Sequence, residues 1–123
     1  MSVRRLNRLK QVARSLSAPI VLLFFISCTD NQPDSTSILI NDRGVAEMGR
    51  YEYVAAYATF SQVAEENPGW VDARVNLAIA TLNRQEEGDE LLSLKILNEA
   101  LRDDPKNLRA LYTSGIIHSY LGE

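Results

Sequence analysis

The residue types able to do chemistry in this chain stand almost alone. Cys28 is the only cysteine and His118 the only histidine. One cysteine makes neither an intrachain disulfide nor a Cys-rich zinc site, and one histidine without a second ligand completes no metal site. Ser114 and His118 lie four residues apart on one helical face, but no orienting acid accompanies them as a nucleophile–base pair requires. The acidic pairs Glu65-Glu66, Glu86-Glu87, Asp89-Glu90 and Asp103-Asp104 lack the alternating oxygen ligands around a glycine that a calcium loop needs. They read as solvated helix ends. No glycine-rich loop follows a strand, so nothing cradles a phosphate. The expectation is a chain with no catalytic residue, no metal and no cofactor.

The place of Cys28 is more informative than its chemistry. It follows the apolar run Ala18 to Ser27, "APIVLLFFIS", which follows a segment with Arg4, Arg5, Arg8, Lys10 and Arg14 and no acid. All sixteen Asp and Glu lie beyond Cys28, where eight Lys and Arg accompany them for a net of −8. An acidic body argues against nucleic acid and against anionic ligands. Ten apolar residues are too few to span a bilayer, which takes about 20. Basic segment, short apolar core and small residue together predict a cleaved signal peptide over 1–27. The run is continuous rather than amphipathic, unlike a mitochondrial presequence, and Arg4-Arg5 lacks the rest of a twin-arginine motif.

Phe25-Ile26-Ser27-Cys28 resembles the lipobox of bacterial lipoproteins, with Phe25 where leucine is commonest. That resemblance implies a lipid on Cys28 as the first mature residue, and a chain attached to a membrane of the bacterial cell envelope, facing the periplasm or exterior. Residues 28–37 then read as a polar, flexible tether containing Pro33.

The remainder, 38–123, reads as all-α. Tyr53, Ala56, Tyr57, Phe60, Val63 and Ala64 form one helical stripe that Asn67-Pro68-Gly69 ends. Leu91, Leu94, Leu97 and Leu101 form another, with Asp89 as its expected N-cap and Asp104-Pro105 as its stop. Leu108, Leu111, Tyr112, Gly115, Ile116, Ser119 and Tyr120 mark a third, and segments around Asn41 to Met48 and Trp70 to Asn83 complete five helices. Trp70 reads as a core aromatic. The chain also repeats: "NPGWVDARVNLA" from Asn67 lies over "DPKNLRALYTSG" from Asp104 at an offset of 37, and Gly44 lies 34 before Ala78. Three more residues separate Ala78 from Pro105 than Gly44 from Pro68, an excess expected to form an exposed bulge in "QEEGDE".

Gly44, Ala56, Phe60 and Pro68, then Leu77, Ala78, Ala100 and Pro105, then Leu111, Gly115 and Gly122 resemble the tetratricopeptide repeat family (TPR). Ser93 or Leu94 stands where the second B helix of that family has alanine. The resemblance implies an α-α solenoid of about two and a half helical hairpins, the third repeat incomplete; another type of helical hairpin array fits nearly as well. It further implies that the first helix of each pair lines a partner-binding groove, through Asn41, Val45, Met48, Val75, Asn76, Ile79, Asn83, Arg109, Tyr112, Thr113 and Ile116. The pattern departs from TPRs that clamp a carboxylate, because only Asn76 and Arg109 are in register. The functional expectation is a non-enzymatic, membrane-tethered scaffold holding a protein or peptide partner. The alternative is the N-terminal helper module of a larger secreted protein, since the first unit resembles TPR segments preceding FG-GAP and ASPIC/UnbV-type domains.

Overall fold

The computed structural model describes residues 32–122. They form five helices: α1 (Ser35–Gly49), α2 (Tyr53–Glu66), α3 (Val71–Arg84), α4 (Asp89–Asp103) and α5 (Leu108–Leu121), with no strand among the described residues. Each helix packs on the next. In addition α1 meets α3 and α3 meets α5, whereas α2 and α4 stay apart. The odd-numbered helices therefore form the closed side of the array and the even-numbered ones the splayed side.

α1 starts earlier than its polar first turn suggests: Ser35 to Ser37, expected to precede the helical region, are helical. The Asp34 carboxylate accepts a hydrogen bond from the Ser37 N–H at 2.7 Å, an N-cap that satisfies an otherwise orphaned donor. That backbone bond holds the Asp34 carboxyl below its usual range. Ser37 is buried, and its hydroxyl accepts from the Asn67 amide at 2.9 Å, tying the start of α1 to the end of α2. Ser35 to Ser37 are helical through a cap and a tertiary bond, which apolar periodicity does not report.

α3 lies in the middle and is buried on both flanks. Val75 and Ala78 join Leu94, Leu97, Ala100, Ala110 and Ile117 in one core cluster. Ala80 joins Ala56 and Phe60 in the other, with Met48, Tyr57 and Leu77 against it. Small side chains let the axes approach. In the first hairpin a Cβ on Gly44 would fall 2.6 Å from the Phe60 ring. In the second, Ala78 is fully buried, and the Ser93 hydroxyl donates to its carbonyl at 2.8 Å. Ser93 thus sits at the crossing, fully buried with its polar atom satisfied. Trp70 belongs to neither cluster; it lies half-buried at the α2–α3 turn, near Pro33 and Ile38.

The three extra residues of the second unit do not make a bulge. α3 runs one residue further past Ala78 than α1 runs past Gly44, the α3–α4 loop is one residue longer than the α1–α2 loop, and α4 is one residue longer than α2. The loop Gln85–Gly88 is tied down by Asp89, which occupies the first helical position while Gly88 takes the cap at φ 86°. Asp89 accepts from the Glu86 N–H at 2.8 Å and from Arg84 at 2.6 and 3.2 Å, so it anchors the loop and the preceding helix instead of capping its own.

Candidate functional site

On the closed side, one polar residue from each odd-numbered helix forms a row. The Asn76 amide of α3 donates to the Asn41 side-chain oxygen of α1 at 2.9 Å, and Arg109 of α5 donates to the Asn76 oxygen at 2.6 Å. Asn76 is nearly buried, so both of its hydrogen bonds matter: leaving a buried amide unpaired costs about 1–3 kcal/mol. The row ties three helices together, with Asn41 half-buried at one end and Arg109 exposed at the other.

Beside the row is a hollow of about 150 Å³ lined by Val45, Met48, Phe60, Asn76, Ile79 and Arg109. Cavities for small molecules run about 300–1,000 Å³, so this one suits a single side chain. Val45 is exposed, Met48 is half-buried against the Ala56–Phe60–Ala80 cluster and Ile79 is half-buried against the Val75–Leu97–Ile117 cluster.

The other candidate groove residues lie elsewhere. Val75 is fully buried in the α3–α4–α5 core and is not a surface residue. Thr113 is buried on the same face of α5 as Ala110 and Ile117. Asn83 turns its amide back to the Ile79 carbonyl at 2.8 Å. Tyr112 and Ile116 line a separate hollow formed by α5 alone, together with Leu111, Gly115, Ser119 and Tyr120. Cys28 lies outside the described residues.

A second polar group was not legible from the sequence. Glu47 is buried and accepts hydrogen bonds from Thr59 of α2 at 2.7 Å and from Arg43 at 2.8 Å. Burial pushes its carboxyl up, but those bonds with the charges of Arg43 and Arg50 outweigh it, and the net shift is downward. The Arg43-to-Glu47 spacing of four was a signal for the ion pair; nothing in the sequence signalled Thr59. Across the α3–α4 turn, the hydrogen bond from Arg84 lowers the Asp89 carboxyl against the opposing effect of burial, and the Arg84 guanidinium stacks 3.9 Å from the Tyr57 ring centroid. Both groups join elements: Glu47 ties α1 to α2, and Arg84 ties α3 to the start of α4 and to Tyr57 of α2.

Among the described residues, no cluster of three or more His, Cys, Asp or Glu could hold a metal ion, and no helix is long and apolar enough to cross a membrane. The chain matches no family model, no curated protein and no solved structure.

Proposed function

We propose that this chain is a TPR-type helical module, tethered to a bacterial membrane by a lipid on Cys28, that holds a protein or peptide partner on the side formed by α1, α3 and α5. The observation that carries the partner site is the row Asn41–Asn76–Arg109 beside the apolar hollow of Val45, Met48 and Ile79. Fixed N–H donors next to a one-side-chain hollow suit a peptide, whose backbone carbonyls accept hydrogen bonds while one apolar side chain is buried. Support for the repeat comes from the pairwise helix order, the contacts among odd-numbered helices, and small residues at Gly44 and Ala78 where the first two pairs cross. The tether rests on the leader and on Phe25 to Cys28.

Lipidation supplies about 0.8 kcal/mol per buried CH₂, and more than one acyl chain gives lasting attachment. Metabolic labelling with an alkyne fatty acid should therefore mark the wild-type chain in the membrane fraction, and Cys28→Ser should lose both label and membrane association. Labelling that persists in Cys28→Ser would remove the tether from the account.

A further inference from the structure

The starts of α1, α3 and α5 share one end of the molecule. The Asn67 amide at the end of α2 reaches the Ser37 hydroxyl near the start of α1, Arg74 near the start of α3 pairs with Asp103 at the end of α4, and Arg109 at the start of α5 reaches Asn76. Each of these starts leaves apolar surface open. Leu39 on α1 is 69% exposed and Leu108 on α5 is 80% exposed, while the half-buried Trp70 before α3 lines an open hollow of about 610 Å³ with Gln32, Pro33, Ile38, Gly69 and Asp72. Gln32 stands four residues after Cys28, so extended chain separates the two by at most about 14 Å.

We propose that this end rests on the lipid surface that holds Cys28, with Trp70 in the interfacial layer of a zwitterionic leaflet. The inference builds on the tether proposed above, which sets the distance to the lipid; Trp70 and its apolar neighbours set which end turns toward it. An indole joins a large apolar ring to a single N–H donor, a combination that suits the boundary between headgroups and acyl chains. The charges at this end choose the lipid. Asp72 lines the hollow and Asp34 follows Pro33, and Glu65, Glu66, Asp103 and Asp104 lie at the same end against Arg102 and Lys106. Anionic headgroups would repel that excess within about 8 Å, the Debye length at physiological salt, whereas zwitterionic ones would not.

Trp70 is the only tryptophan and Cys28 the only cysteine, so emission and attachment are both site-specific. The full chain, made in a cell-free system that leaves the thiol free, is coupled through Cys28 to phosphatidylcholine vesicles carrying a maleimide lipid and a lipid brominated just below its headgroup, a short-range quencher. Coupling supplies the tether whether or not Cys28 is lipidated in the cell, so this proposal and that reading fail separately. Trp70 emission should be quenched several-fold relative to vesicles without bromine. Leu39→Asp should reduce the quenching, as should replacing part of the phosphatidylcholine by phosphatidylglycerol. Trp70→Phe with Tyr51→Trp moves the probe to the α1–α2 turn at the opposite end, where Tyr51 is 78% exposed, and should be quenched little. Unquenched Trp70 emission overturns the proposal. So does equal quenching of the two probes, as general collapse onto the vesicle would produce, and so does quenching that rises with phosphatidylglycerol.

Discussion

A methyl group added at Gly44 would fall 2.6 to 2.9 Å from three atoms of the Phe60 ring, and the ring is itself 1% exposed. It has no room to swing aside. Gly44→Ala gains about 1 kcal/mol of helix propensity but incurs an overpacking cost of about 1–3 kcal/mol, so a net loss is expected. For a domain of this size each kcal/mol moves the melting midpoint by roughly 4–8 °C, which thermal denaturation resolves. The second hairpin suggests the remedy, since it combines Ala78 with Leu97 in the same core cluster. Gly44→Ala with Phe60→Leu should recover most of the lost midpoint. A double variant no better than the single one would show that the two hairpins do not share one packing scheme.

The α3–α4 connection is held by an ion pair with little access to water: the side chains of Arg84 and Asp89 are 13% and 3% exposed. Removing one member leaves the other charge buried, at a cost of about 3–5 kcal/mol. Arg84→Met should therefore destabilise severely in a urea titration, and adding Asp89→Asn should restore part of the loss, because the amide oxygen still accepts from the Glu86 N–H. Acid acts on the same elements. Asp89 and Glu47 both have carboxyls held below their ordinary range, so the folded form binds their protons less readily than the unfolded chain. Their stabilisation is complete above the unfolded values of about 3.9 and 4.3, and is lost as pH falls through the lower folded values. The melting midpoint should change little through these two groups from pH 7 to about 5 and drop below about pH 4. In Asp89→Asn with Arg84→Met the drop should be smaller; an equal drop would assign acid sensitivity to other carboxyls.

At the scale of the whole molecule, the helix count and the ends of α2 and α4 were legible, because apolar stripes of period 3.6 and the Asn67-Pro68-Gly69 and Asp104-Pro105 stops are local signals. The start of α1 was not, since Ser35 to Ser37 owe their helical state to Asp34 and Asn67. The candidate groove was legible in part. The unit spacing of 34 sets Asn41 over Val75, and the spacing of 37 sets Asn76 over Thr113, yet the row joins Asn41 to Asn76 and Asn76 to Arg109. Val75 and Thr113 face inward instead. Side-chain length decides this: Arg109, about one turn before Thr113, reaches across to α3, and register alone carries no information about reach. The resulting molecule has two unlike sides. One carries the amide row and the hollow at Val45; the other opens between α2 and α4 around Tyr57, Glu65, Arg74 and Ile96. Partner binding on the first side is the central claim, and photo-cross-linking in living bacteria tests it most directly. A photoreactive amino acid is placed at Val45 or at Glu65, each with and without Arg109→Ala. The account predicts a discrete protein adduct from Val45 that Arg109→Ala weakens, and none from Glu65. An adduct from Glu65 with none from Val45 would contradict it.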